Sequence, residues 1–161
     1  MVPVVSPAWL EKHPEAVIVD LRWALGATTG YESYLEGHIP GAVFIDLDTE
    51  LSAAPTVEGG RHPLPDPADF AAAMSRAGIS DDSTVVAYDD AGGFSAGRLV
   101  WMLRALGVEA ALLDGGLHSW PHALTTQIPD PAEGSFTARG WDEGQTATMD
   151  EAVAGPLVID A

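Results

Sequence analysis

"TVVAYDDAGGFSAGRLVWML", at residues 84–103, joins a β-branched apolar run to an amphipathic pattern through two acids and two glycines. The first part predicts a buried strand, and the last part predicts a helix from about Ser95. Such a junction often holds an anion or a nucleophile in α/β enzymes, because free N–H groups and the helix dipole point at it. Asp89 and Asp90 would repel an anion, and neither is a sulfur nucleophile. The stretch indicates the fold class but leaves the purpose of its loop open.

Strands and helices alternate along most of the chain. Apolar β-branched runs predict strands at 16–21, 41–47, 84–89 and 110–114. Capping residues and helical spacing of apolar residues predict helical segments at 6–13, 31–37, 66–77 and 95–106, and a helix that opens within 115–123. The alternation predicts an α/β fold, with a mostly parallel sheet covered by helices.

The ends of the predicted strands carry acids. In a parallel sheet the carboxyl ends of the strands meet at one rim, which is where ligands bind. The acidic residues at or just after these ends are Asp20, Asp46, Asp48, Asp89, Asp90 and Asp114. We therefore expect all of them on the same rim.

The charge balance restricts the partners of this 161-residue chain. It has 24 acidic and 7 basic residues, for a formal net charge of −17. Such a surface repels duplex nucleic acid and anionic membranes, so neither is expected as a partner. No apolar run approaches the roughly 18 residues of a membrane helix. No secretory signal is visible, which favours a cytoplasmic location.

The absence of cysteine excludes several chemistries. The chain can form no disulfide, no thiolate nucleophile and no cysteine-ligated metal site. His118 and His122 have the spacing of a metal pair, but Pro121 lies between them and no third ligand stands nearby. We expect no metal and no cofactor.

Phosphoryl transfer is a weaker alternative. Asp46 and Asp48 after a strand resemble the first motif of haloacid-dehalogenase-like phosphotransferases, but Glu50 stands where that motif has threonine or valine. The chemistry also needs a downstream lysine, and the single lysine, Lys12, lies upstream. A response-regulator receiver, suggested by two adjacent acids after a strand, lacks the same lysine.

The alternation of predicted strands and helices stops in the C-terminal part of the chain. Residues 124–146 are rich in proline, threonine and small polar residues, which indicates a linker. Residues 147–161 then predict a helix, a turn and a strand that ends near Asp160, similar to the early segment that ends at Asp20. We expect the chain to stop where a second copy of the domain begins.

Two local motifs bracket the opening stretch. In "EGHIPGA", at 36–42, His38 precedes a tight turn, and we expect its side chain to hold the loop by hydrogen bonds. In "LLDGGLHSW", at 112–120, two glycines after Asp114 predict a structural turn that brings Trp120 onto the sheet.

With "VIVDLRW", "GRHPLP" and the continuation "GAVFIDLD", these motifs resemble the rhodanese family over roughly residues 6–123. The likeness is to the first half of tandem thiosulfate or 3-mercaptopyruvate sulfurtransferases. It implies a rhodanese-like, doubly wound parallel sheet of about five strands with helices on both faces. The implied domains are a rhodanese-like domain at 1–123, a linker at 124–146 and a truncated second repeat at 147–161.

The resemblance also implies what the opening loop is. The family carries a persulfide-forming cysteine in a cradle of backbone N–H groups, and first halves carry an aspartate there. Asp89 or Asp90 would take that place, because the spacing fits either residue. The inactive cradle loop comprises Asp89, Asp90, Ala91, Gly92, Gly93, Phe94 and Ser95. The chain alone would then be inactive, and the cysteine would lie in a second rhodanese domain.

Two residues could still serve the chemistry of the whole protein. By resemblance to mercaptopyruvate-type members, Asp48 and His62 match an aspartate and a histidine of a proposed proton relay. The implied partners are a sulfur donor, thiosulfate or 3-mercaptopyruvate, and a cyanide or thiol acceptor. The alternative is a stand-alone, non-catalytic rhodanese-like binding or regulatory module. The residues encoded after Ala161 would discriminate between the two.

Overall fold

A five-stranded parallel sheet forms the centre of the protein in the computed structural model, which describes residues 1–24 and 29–155. The strands are β1 (Val4–Val5), β2 (Val17–Asp20), β3 (Val43–Phe44), β4 (Thr84–Tyr88) and β5 (Glu109–Leu113). Their order is β1-β5-β4-β2-β3, and every pairing is parallel. The α/β class is as the sequence predicts, and the five parallel strands agree with the number that the resemblance implies.

Helices cover both faces of this sheet. The helices of the described residues are α1 (Pro7–Leu10), α2 (Thr29–Glu36), α3 (Pro67–Arg76), α4 (Phe94–Ala105) and the exposed α5 (Met149–Ala154). Central strand β4 shows the two faces, because its side chains alternate between two apolar clusters. Val85 packs with α3 and α4, whereas Val86 packs with Leu10 of α1. None of the helices in the described ranges is long and apolar enough to cross a membrane.

The helices begin where the sequence places their caps. Ser6 Oγ accepts the N–H of Trp9 at 3.2 Å, and Asp66 Oδ1 accepts the N–H of Ala68 at 2.8 Å. Thr148 forms a capping box at the start of α5. These bonds satisfy N–H groups that the first helical turn leaves without a partner, which confirms the predicted starts.

Several predicted boundaries are wrong. The predicted strand at 41–47 pairs only over β3, because Asp46 accepts the N–H of Thr49 at 2.8 Å and turns the chain. Helix α1 ends before the predicted limit at His13. The helix expected within 115–123 is a single 3-10 turn at Gly116–Ser119, since Pro121 holds the residue before it extended.

The sheet contains one strand that the sequence analysis missed. Val4 and Val5 of β1 pair with Leu112 and Leu113 of β5 at the edge of the sheet. The strand predicted at 157–161 lies outside the described residues. The five described strands therefore include β1 and not that segment.

Residues 124–142 form neither helix nor strand, but they pack on the domain. Thr125 pairs with His38 in an isolated antiparallel bridge. Phe136 is buried and belongs to the same apolar cluster as Phe70. Trp141 donates its indole N–H to Pro65 O at 2.8 Å. The segment thus covers one side of the core.

His38 holds its loop as predicted. Its Nδ1 lies 2.7 Å from Tyr34 O, and its Nε2 lies 3.1 Å from Gln127 O. The ring stacks on Tyr34 with 3.9 Å between centroids and is fully buried. His38 therefore joins helix α2 to the segment at 124–142.

A buried network of charged and hydroxyl groups contacts the loop that carries His38. Arg22 donates to Asp20 Oδ2 at 2.7 Å and to Gly37 O at 2.7 Å, and the Tyr88 hydroxyl donates to the same Asp20 oxygen at 2.7 Å. Burial opposes the charged form of Arg22, but the hydrogen bond and charge of Asp20 raise its pKa. Burial, reinforced by Asp20, raises the pKa of Tyr88.

Alkaline pH should weaken the fold through Tyr34. Burial, with a smaller effect of Asp20, raises the pKa of Tyr34 from 10.0 to about 12. The folded state therefore keeps a proton that the unfolded chain loses first, so this contribution to stability is complete below about pH 10 and lost by pH 12. Urea unfolding across this range should show stability falling with pH, and Tyr34→Phe should show a shallower fall. Equal slopes in both proteins would contradict the assignment.

Candidate functional site

The loop between β4 and α4 is organised around the carboxylate of Asp89. Oδ1 accepts the N–H groups of Ala91 at 2.9 Å and Gly93 at 2.8 Å. Oδ2 accepts those of Ser95 at 2.9 Å and Ala96 at 3.0 Å. Asp89 is 1% exposed. One buried carboxylate therefore satisfies four N–H groups of the loop and the first turn of α4.

The loop can turn its N–H groups inward because of its glycines. Gly92 and Gly93 have φ of 75° and 91°, in the left-handed region that side chains disfavour. The turn after β5 lies close by: Leu117 donates its N–H to Asp89 O at 2.9 Å. A Cβ at Gly116 would lie 2.4 Å from that oxygen. The predicted structural turn at "LLDGGLHSW" therefore packs directly on this loop.

The two acids of the loop are not equivalent in the structure. Asp89 is buried within the ring of N–H groups, whereas Asp90 is exposed. Because neighbouring residues at a strand end point in opposite directions, only one of them can face the start of α4. The geometry selects Asp89 as the residue at the centre of the loop.

A second group of polar side chains lies in a cleft of about 580 Å³. His62 Nε2 is 2.8 Å from Asp48 Oδ1, and Trp23 Nε1 donates to Asp48 Oδ2 at 2.9 Å. The Trp23 ring also meets the His62 ring edge-on, with 5.5 Å between centroids. The structure thus brings together Asp48 and His62, which stand 14 residues apart in the chain, and adds Trp23 to them.

The contact with Asp48 assigns one of the hydrogen positions on His62. An ionised carboxylate only accepts hydrogen bonds, so the contact with Asp48 places a hydrogen on His62 Nε2. The other ring nitrogen, Nδ1, makes no hydrogen bond to any of the described residues. A histidine held in this way can take up or release a proton at Nδ1.

Arg98 of α4 anchors the loop that carries His62. Its guanidinium donates to Leu51 O at 2.9 Å, to His62 O at 3.0 Å and to Pro63 O at 3.0 Å. Burial lowers the pKa of Arg98. The helix that begins at the Asp89 loop therefore also positions the cleft.

The loop and the cleft lie on the predicted rim. Trp23 follows β2, Asp48 follows β3 and Asp89 follows β4, so all three stand beyond the carboxyl ends of parallel strands. Phe94, at the start of α4, stacks on Trp23 with 6.4 Å between centroids and is 70% exposed. Aromatic side chains thus connect the two polar centres.

The rim acids do not form a metal centre. Within the described ranges, no group of three or more histidine, aspartate or glutamate side chains could hold a metal ion. Asp20 binds Arg22, and Asp46 binds the backbone and hydroxyl of Thr49. The His118–His122 spacing is not used either, because His122 pairs with Glu11.

Sequence reasoning missed two residues of this site. No sequence pattern marks Trp23 as a site residue, because its partner Asp48 follows a different strand. Arg98 sits in an amphipathic helix, where an arginine is usually solvated. Only the fold shows that both residues position His62.

The chain belongs to the family of rhodanese-like domains, whose model matches residues 6–123. It is 40% identical over 147 residues to 3-mercaptopyruvate sulfurtransferase of Escherichia coli, covering 83% of this chain and 50% of that protein. It is 37% identical over 134 residues to thiosulfate sulfurtransferase of Pseudomonas aeruginosa, covering 81% and 46%. The chain spans about half the length of these curated relatives.

Solved structures support the same family. The crystal structure of the 3-mercaptopyruvate sulfotransferase SseA from Escherichia coli matches with a TM-score of 0.81 and 34% identity, over 96% of this chain and 61% of that one. The 3-mercaptopyruvate sulfurtransferase from Leishmania major matches with a TM-score of 0.76 and 29% identity, over 97% and 45%. The sheet and helices therefore form the rhodanese fold.

Replacing the buried acid should destabilise the protein. Asp89→Asn puts an amide NH₂ against backbone N–H groups, so we expect a loss of about 2 kcal/mol or more in the free energy of unfolding. Asp90→Asn makes the same chemical change on an exposed residue and should stay within about 0.5 kcal/mol of the original. Urea unfolding of the three proteins tests this, and equal midpoints would contradict the geometry.

Proposed function

We propose that this chain is the first, non-catalytic half of a tandem sulfurtransferase, which moves sulfane sulfur from thiosulfate or 3-mercaptopyruvate to cyanide or a thiol. The observation that carries the proposal is the position of Asp89. Its carboxylate accepts the four N–H groups that would otherwise stabilise an anionic sulfur, and the chain has no cysteine. The persulfide cysteine is proposed to lie in a second rhodanese-like half.

The length of the relatives supports two halves. The chain matches about half of each curated sulfurtransferase. We assign residues 1–123 to the first domain, 124–146 to the connection and 147–161 to the start of the second repeat. The connection is held against the first domain by Phe136 and Trp141. Helix α5 follows it with its own capping box.

The proposed role of Asp48 and His62 is to protonate the leaving group. When a cysteine thiolate attacks the sulfur of 3-mercaptopyruvate, an S–S bond forms and the C–S bond breaks. The electron pair of the C–S bond leaves on carbon as the enolate of pyruvate, which must gain a proton. Protonated His62 can donate that proton from Nδ1 while Asp48 holds Nε2. Sulfite leaving from thiosulfate needs no such proton, so the pair favours mercaptopyruvate.

The isolated chain should be inactive as a sulfurtransferase. No residue in it can carry a persulfide, because it has no cysteine. Transfer of sulfur from thiosulfate to cyanide by the purified 161-residue chain should therefore equal that of a heat-inactivated sample. Transfer above that background would refute the assignment of the nucleophile to a second half.

In the complete protein, His62→Ala should lower kcat for 3-mercaptopyruvate on the order of 100-fold, because a general acid is lost. Turnover of thiosulfate should change little. His122→Ala is the matched control, since His122 also pairs with an acid but lies outside the cleft. Steady-state kinetics of both variants with both donors provide the measurement. Identical kinetics for the two variants would leave His62 as an ordinary loop residue.

The second candidate is a stand-alone binding or regulatory module. The observation in its favour is that the Asp89 loop is complete without any ligand, since its own carboxylate satisfies it. Sequencing the gene beyond Ala161 separates the two candidates. A continuation that contains a second strand–cradle–helix unit with cysteine supports the sulfurtransferase, and a continuation without one supports the module.

A further inference from the structure

Glu50 closes the turn that follows β3, and this turn carries Asp48 in its middle. The main chain of the turn is closed by the N–H of Glu50, which donates to Asp46 O at 3.0 Å. The side chain of Glu50 then reaches back to the start of the turn, where its Oε2 accepts the N–H of Asp46 at 2.8 Å. Glu50 therefore fixes the turn twice, once with its backbone and once with its carboxylate.

The second carboxylate oxygen of Glu50 connects the turn to helix α3. Oε1 accepts a hydrogen bond from the guanidinium of Arg76, the last residue of that helix, at 3.0 Å. This end of α3 is itself held by the segment at 124–142. Ser75 accepts the N–H of Gly134 on its main-chain oxygen at 2.8 Å and the N–H of Phe136 on its hydroxyl at 3.2 Å. Glu50 thus joins the turn to a helix end that is anchored on the core.

Asp48 depends on this turn for its position. Within the described part of the chain, the hydrogen bonds of Asp48 are those that its carboxylate accepts from His62 and Trp23. Its side chain is 53% exposed, so packing does not hold it either. The shape of the turn therefore decides where the carboxylate lies. Hydrogen bonds weaken steeply when donor and acceptor are displaced, so a change in the turn would reach His62 through Asp48.

We infer that Glu50 is a positioning residue for the proton transfer, and that Arg76 holds Glu50 in place. Glu50 fixes the turn, the turn places Asp48, and Asp48 holds Nε2 of His62 so that Nδ1 is left for the proton. This inference rests on the proposed function and adds to it the support of the acid pair by a third acid. Glu50 is also the residue that departs from the phosphotransferase motif, and the inference assigns it a use.

Steady-state kinetics of the complete protein test the inference. Glu50→Ala should lower kcat for 3-mercaptopyruvate about tenfold with little change in KM, because the proton donor is misplaced while the rest of the cleft remains. Turnover of thiosulfate should stay unchanged, since sulfite needs no proton. Glu50→Gln keeps an oxygen that can accept the N–H of Asp46 and should lose less activity than Glu50→Ala.

The ion pair is tested from its other side by Arg76, whose side chain is 60% exposed. Arg76→Gln should lower kcat for 3-mercaptopyruvate roughly threefold, because exposed ion pairs are weak, and Arg76→Lys should restore most of the loss. Arg76→Gln also carries the test if Glu50→Ala does not fold. Asp81→Asn is the control: Asp81 pairs with Arg139 but does not line the cleft, so its loss should leave turnover of both donors unchanged.

The indole N–H of Trp23 reports the position of Asp48 without substrate, because it donates to Asp48 Oδ2. In ¹⁵N NMR spectra of the 161-residue chain, Glu50→Ala should shift this signal and speed its exchange with solvent. The indole of Trp141, which donates to Pro65 O, should keep its signal and serves as an internal reference. A merely structural role of Glu50 would lower the urea midpoint and leave both indole signals of the folded chain in place.

Three results would overturn the inference: an unshifted Trp23 signal in the folded variant, unchanged turnover of mercaptopyruvate in Glu50→Ala, or an equal loss of turnover for both donors. Failure of the proposed function would look different. In that case His62→Ala would turn over mercaptopyruvate at the original rate, while Glu50→Ala would still shift the Trp23 signal of this chain.

Discussion

Four backbone N–H groups face a single point between β4 and α4, and the carboxylate of Asp89 occupies that point. Buried N–H groups without partners are costly, so a loop of this shape needs an anion or an acceptor at its centre. Here the side chain of Asp89, which directly follows β4, supplies that anion. The N–H groups of Ser95 and Ala96 at the helix N-terminus are thereby occupied by Asp89 and are not available to an external anion.

This constraint extends to the neighbouring elements. The Asp89 loop sets the start of α4, and one turn later Arg98 of that helix holds the main chain around His62. Trp23 connects the two sides, since it donates to Asp48 and stacks on Phe94. The Asp89 loop and the cleft of Trp23, Asp48 and His62 are thus parts of one edge of the sheet.

Sequence patterns predict the structural features that depend on residues close together in the chain. The caps at Ser6 and Asp66, the buried face of α4 and the structural role of His38 follow from short patterns, and all four agree with the structure. The family resemblance predicts that Asp48 and His62 act as a pair, and the structure places His62 Nε2 2.8 Å from Asp48 Oδ1. Prediction fails where the partner is remote: β1 is two residues long and needs β5 to define it.

The choice between Asp89 and Asp90 shows a second kind of limit. Both residues are acids at a strand end, and a shift of one residue exchanges the buried face for the exposed one. Pairing with β2 and β5 fixes that register, and the loop composition does not. The roles of Trp23 and Arg98 are hidden for a similar reason, because their acceptors lie 25 to 47 residues away in the chain.

The anchor made by Arg98 has a consequence for how this cleft can change during evolution. Within the described part of the chain, the hydrogen bonds that its guanidinium donates all go to main-chain oxygens of the loop at 51–63, and every residue type carries such an oxygen. Side chains of that loop can therefore be exchanged while the loop keeps its place against α4. Ligand preference on this edge of the sheet can diversify by substitution within the loop, without any compensating change in the scaffold that holds it.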